Sequence, residues 1–230
     1  MLKVVNLIKS YNSKNTLDDI SFEIEKGEFV AITGASGSGK SALLYILGGL
    51  EKPDSGHVYY NNFDIWTQNE DTLAAFRRRS IGIVFKSDNL VPTLNVEENI
   101  ILSLSLGGEK ADEKQYREIT IATGLTGYSK HLPTELTATQ QQRVAIARAL
   151  MGSPYILLAD EPMGNPGSDD AHDLFALFRH INESLKQTII IATRDEETAK
   201  KAKRQITLKD GKIISDETGT TWVVAKQLAT

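Results

Sequence analysis

Four short apolar runs stand out along the chain: Phe29 to Thr33, Ile81 to Phe85, Tyr155 to Ala159 and Thr188 to Ala192, each flanked by polar, glycine or proline residues. Buried runs of this length, separated by stretches of helical periodicity, predict an α/β fold built on a parallel sheet. The opening segment to Glu28 and the stretch Gly56 to Ile65 alternate more regularly and read as short antiparallel strands flanking that core. Asp210-Gly211 lies between Ile206 to Leu208 and Lys212 to Ile214, a hairpin signal near the C-terminus.

Strand signals vanish between Asn95 and Leu150. Asn95 with Glu98 three residues on predicts a capping box and a helix through Leu106. A second helix starts from Asp112 and stops near Gly124, and a third begins around Thr139. The pattern predicts a single domain over residues 1–230. About 1–94 and 151–230 form an α/β core with its β subdomain, and about 95–150 form an inserted helical subdomain.

The composition, 40% hydrophobic and 24% charged in 230 residues, is that of a soluble globular domain with a sizeable core. A net charge of -4 supplies no general basic field, so nucleic acid is not an expected partner and any phosphate ligand must meet a local site. The dense basic run Arg77, Arg78, Arg79 reads as a solvated helix end. The absence of cysteine fits a reducing interior. No apolar run approaches the ~18 residues that span a bilayer, and the N-terminus has no signal-peptide core. The expected location is cytoplasmic, with any membrane role carried through a partner chain.

The strongest chemical signal is Gly34-Ala-Ser-Gly-Ser-Gly-Lys-Ser41, a GxxxxGK[ST] loop between the strand ending at Thr33 and a helix over Ser41 to Leu47. Gly34, Gly37 and Gly39 let the backbone fold around phosphates. Ser36, Ser38 and Ala42 complete the loop and its junction with the helix, whose N-terminus faces the negative charge. Lys40 is expected to reach the β and γ phosphates and Ser41 to ligate Mg²⁺. The run Tyr-Ile-Leu-Leu-Ala-Asp160-Glu161-Pro ends a strand with two acids: Asp160 on the metal side and Glu161 as the general base for an attacking water. The combination predicts a P-loop NTPase core binding ATP and Mg²⁺.

At these residues the chain resembles the nucleotide-binding domains of ABC transporters, and most closely the branch that drives lipoprotein release, macrolide export and antimicrobial-peptide resistance. The resemblance rests on GASGSGKS, ILGGLEKPDSGHVYY, AAFRRRSIGIVF, QQQRVAIARAL, ILLADEP and LKDGKI, in the family's order and covering nearly all of the chain. It implies a second nucleotide-binding domain closing head to tail over two ATP molecules. It also implies integral-membrane permease subunits in separate chains, with this chain peripheral at the cytoplasmic face. By the same resemblance Tyr11 is the aromatic that stacks on adenine, and Lys86 through Leu106 meets the membrane subunit.

The chain departs from the family's pattern around one phosphate. Leu136-Thr-Ala-Thr-Gln140 stands where the family has LSGGQ or LSGGE, so Ala138 and Thr139 place Cβ atoms where glycines permit close approach. Lys86 replaces a glutamine, Arg194 a histidine, and Gly167 the acid of a turn that reads Met163-Gly-Asn-Pro-Gly-Ser168; Ala42 lacks a threonine hydroxyl. Lysine is donor-only and repels a metal, whereas arginine can still donate to a phosphate. The expected outcome is an ATP-binding subunit whose hydrolysis is weakened. Competing readings are an active transport ATPase completed by a partner chain, a repair or translation ATPase, a nucleotide-unresponsive scaffold, and tolerated changes in which Lys86 and Arg194 point to solvent. His172 and His180 share a helix face without a third metal ligand, His57 and His131 stand alone, and the apolar tail Thr221 to Thr230 covers the core or docks a partner.

Overall fold

The computed structural model describes residues 1–12, 14–164 and 168–218. Strands β1 (Leu2–Tyr11), β2 (Lys14–Ile24), β4 (Ser55–Tyr60) and β5 (Phe63–Asp64) form an antiparallel sheet in the order β2-β1-β4-β5. Strands β3 (Phe29–Thr33), β6 (Ile81–Val84), β7 (Ile156–Asp160), β8 (Thr188–Ala192), β9 (Arg204–Lys209) and β10 (Lys212–Thr218) form a second sheet in the order β10-β9-β3-β8-β7-β6. All neighbours in this second sheet are parallel except β10 with β9, the hairpin that Asp210-Gly211 predicts.

The apolar runs are continuous because both faces of the parallel sheet are covered. Phe29, Ala31, Leu157, Ala159, Ile189 and Ile191 point into one core, packed with helices α3 (Val96–Leu106), α5 (Ala138–Leu150) and α6 (Asp169–Leu185). Val30, Ile32, Ile156, Leu158, Ile190 and Ala192 alternate to the other face, against helix α1 (Lys40–Leu47) and the antiparallel sheet. Tyr60, 1% exposed, donates its hydroxyl to Leu47 O at 2.9 Å and ties that sheet to the end of α1.

Helix α3 carries the predicted capping box: Asn95 Oδ1 accepts from Glu98 N, and Glu98 accepts from Asn95 N. Helix α4 (Glu113–Ala122) is capped by Asp112, and α6 by Ser168. The third helix starts at Ala138 rather than Thr139, because Thr137 is its N-cap. The Arg77 run ends a helix as expected, α2 (Glu70–Ser80), capped by Asn69, whose start the sequence reading does not place. Its polar composition hides it, since only Leu73 and Ser80 are buried. The arginines form its last turn as expected: Arg78 and Arg79 are exposed, Arg79 pairing with Glu109 at 3.3 Å on the surface, and Arg77 is half-buried, donating to Gly49 O at 2.8 Å. A last short helix, α7 (Glu196–Ala199), follows β8. No helix among the described residues is long and apolar enough to cross a membrane.

Candidate phosphate-binding site

The registers Ile32 with Ala192, Asp160 with Ala192 and Val84 with Ala159 bring the C-terminal ends of β3, β8, β7 and β6 to one edge of the sheet. Open parallel sheets bind their ligands at that edge. A pocket of about 280 Å³ opens there. Ser36, Gly37, Gly39, Lys40, Ser41 and Ala42 supply one wall; Lys86, Glu161 and Arg194 arrive from the strand ends beside it. Three cations and one carboxylate line it among the described residues, a balance that favours a polyanion.

Loop 34–39 joins β3 directly to α1. Gly39 adopts φ 102°, and a Cβ there would stand 2.5 Å from Thr16 O, so only glycine lets the loop pass. Ser38 N donates to Ala35 O at 3.2 Å, while the buried Ser38 hydroxyl has no protein partner among the described residues. Lys40 Nζ donates to Gly34 O at 2.7 Å and Ala35 O at 2.9 Å, bridging the loop it belongs to. Burial pushes its pKa down, opposed by the carboxylates of Glu161 and Asp160. These groups suit a phosphate chain: a glycine cradle, a helix N-terminus and an ammonium held by carbonyls that a phosphate can replace.

Asp160 is 4% exposed, and both of its oxygens are occupied. Ser41 donates to Oδ1 at 2.9 Å and Tyr45 to Oδ2 at 3.0 Å. Ser41 with Asp160 provides the few oxygens that a Mg²⁺ shared with phosphates requires. Tyr45 was missed by sequence reading, where it passes for a core aromatic in α1. Its position four residues after Ser41 is the signal, since i and i+4 share a helix face. Burial, then the charge of Asp160, pushes the Tyr45 phenol up to about 12.

Glu161 has φ 45°, uncommon for a non-glycine residue, and its N–H donates to Ala192 O at 2.9 Å. That bond fixes the residue between β7 and β8 and turns its carboxylate to the pocket, where Arg194 Nε stands 3.1 Å from Oε1. Lys86 and Arg194 both border the pocket while remaining exposed to solvent. Gly34, Ser38 and Asp160 sit behind the pocket wall. Tyr11 lies outside it, its hydroxyl on the Glu51 carboxylate and Lys9 Nζ 5.3 Å from its ring centroid.

The altered segment Leu136 to Gln140 begins α5 with a closed capping box. Gln140 N donates to Thr137 Oγ1 at 3.2 Å, and Thr137 N to Gln140 Oε1 at 2.9 Å. The Thr137 hydroxyl is thereby engaged locally, and Ala138 and Thr139 open the helix on the surface. Gly167 and the tail Thr221 to Thr230 lie outside the described residues. His172 meets Lys201 and His57 meets Asp64; no group of three potential metal ligands forms among the described residues. A wider groove of about 900 Å³, near Met1, Gln115, Tyr155 and Leu185, contains none of the predicted site residues.

Residues 17–164 match the family model described as ABC transporter. The lipoprotein-releasing system ATP-binding protein LolD of Cytophaga hutchinsonii is 38% identical over 216 residues, 93% of this chain and 99% of that protein. The macrolide export ATP-binding/permease protein MacB of Brucella melitensis is 39% identical over 224 residues, 95% of this chain and 34% of that longer protein. Among solved structures, the ATP-binding cassette MJ0796, a dimer in a post-hydrolysis state with ADP and Pi, superposes with TM-score 0.84 at 37% identity, covering 95% of this chain and 98% of that one. Fold, phosphate loop and relatives converge: the chain belongs to the ABC transporter family.

Proposed function

We propose that this chain is the ATP-binding subunit of an ABC transporter with weakened ATP hydrolysis, working with permease subunits in separate chains and with a second nucleotide-binding domain. On this reading residues 1–230 form one ATP-binding domain, of which about 95–150 are the helical part, located at the cytoplasmic face of the membrane through its partner. Similarity to a stand-alone ATP-binding protein over nearly its whole length, and to a dimeric cassette, supports the assembly.

Lys40 would exchange its loop carbonyls for phosphate oxygens, and Ser41 and Asp160 would hold a Mg²⁺, which when bound would neutralise phosphate charge as a Lewis acid. The observation that carries weakened turnover is the contact between Arg194 Nε and Glu161 Oε1 at 3.1 Å. A general base needs a free, correctly aimed lone pair to accept a water proton. Here the Arg194 guanidinium sits against one carboxylate oxygen. Lys86 on the same wall is donor-only, where a glutamine could also accept.

Calorimetry with Mg·ATP and phosphate release, run on one preparation, tests this, with Lys40→Ala as the control. The expected result is binding that the control lacks, with turnover close to the control's. Arg194→His is expected to raise turnover about ten-fold or more while leaving binding in place. Turnover of the unaltered chain far above the control, and abolished in Glu161→Gln, would sink the weakened-hydrolysis part.

A further inference from the structure

Asp160 can place a metal only if its carboxylate plane is fixed, because the terminal torsion of an aspartate is broad and roughly two-fold. In this chain that plane is set from both sides. The Ser41 hydroxyl donates to Oδ1 and the Tyr45 hydroxyl to Oδ2, in a place where Asp160 is 4% exposed and little water competes. Asp160 in turn orients Ser41. With the serine proton directed to Oδ1, the serine lone pairs are left for a cation on the opposite side.

Tyr45 is itself held in place. Its ring lies 6.3 Å from that of Phe85, tilted by 50°. Phe85 directly precedes Lys86 and follows β6, whose Val84 is in register with Ala159 of β7. The phenol is thus wedged between α1 and the ends of two neighbouring strands.

We propose that Tyr45 is a positioning residue for the magnesium site: through Oδ2 it fixes Asp160, and through Asp160 it aims the Ser41 oxygen at the metal. The proposal rests on the nucleotide-binding reading above. Partners behind a metal's direct ligands commonly change metal affinity 10- to 100-fold when removed.

The test is a magnesium titration of nucleotide binding by the full chain, using an ATP analogue with a methylene bridge between the β and γ phosphates to prevent turnover. Tyr45→Phe keeps the ring against Phe85 and removes only the hydroxyl. It is expected to raise the magnesium concentration for half-maximal binding about ten-fold, while affinity measured in EDTA stays within about two-fold of the unaltered chain. Phe85→Leu, which loosens the ring contact and keeps the hydroxyl, is expected to shift the magnesium midpoint less. A Tyr45→Phe midpoint equal to that of the unaltered chain would overturn the proposal. So would equal losses with magnesium and with EDTA, which would make Tyr45 a packing residue. If the unaltered chain binds nucleotide in neither condition, the underlying reading falls and this proposal falls with it.

Discussion

Glu161 and Arg194 meet because Asp160 is paired with Ala192 across β7 and β8, so the residues that follow each strand emerge side by side. Nothing in the local sequence around either residue announces the ion pair; it is a product of strand order. The phosphate loop is different. Its glycines, lysine and serine are contiguous, and their chemistry follows from the backbone they force, which is why Gly34 to Ser41 could be read directly. Gly39 shows how tight that backbone is. Gly39→Ala would put a Cβ 2.5 Å from Thr16 O at a φ of 102°. It is expected to cost about 1–3 kcal/mol of stability and most of the nucleotide affinity, readable by urea unfolding and calorimetry. Tyr45 was illegible for the opposite reason: an aromatic in an apolar helix reads as core until the partner strand brings Asp160 to its hydroxyl.

Elements with strong periodicity and explicit caps were legible. The four buried strands, the Asn95 capping box and the Asp210-Gly211 hairpin stand where the sequence puts them, with ends differing by a residue or so. Of helix α2 only the basic end was legible, because an amphipathic signal needs an apolar stripe and this helix buries little. Buried polar side chains were also invisible in advance. Asn99, 0% exposed in α3, accepts from Val91 N and donates to the carbonyls of Val91, Leu94 and Asn95, so it pins the loop that leads from Lys86 into the helix. Asn99→Ala strands several of these backbone groups and is expected to lose about 2 kcal/mol or more, seen as a lower denaturant midpoint. At the start of α5, Thr137→Ala removes the cap and is expected to cost about 1 kcal/mol. Thr137→Ser, which keeps the hydroxyl, should stay near the unaltered stability in the same unfolding assay.

For the whole molecule the fold class followed from the alternation of apolar runs and helices, while the sheet order did not. That order depends on which faces each helix covers, and covering emerges only when all strands are present. Ligand binding should register at this scale, since a ligand that binds only the native state stabilises it. Mg·ATP at about a hundred times its dissociation constant is expected to add about 2.7 kcal/mol. In a chain of this size that corresponds to a rise of roughly 5–10 °C in the unfolding midpoint, absent in Lys40→Ala. Measuring the midpoint with and without Mg·ATP checks this.

The strand order also sets a timetable. Strand β8, residues Thr188–Ala192, lies between β3, which launches the phosphate loop, and β7, which ends in Asp160, yet it is made after both. During synthesis the loop and the acid exist for a long stretch of chain without the wedge that spaces them. Nucleotide can therefore give no help to the emerging polypeptide until Ala192 has been added, and the earlier part must reach that point on its own packing. A chain ending before Thr188 would carry every residue from Gly34 to Glu161 and still be expected to show no protection by Mg·ATP in pulse proteolysis, whereas a chain ending after Thr218 would be protected.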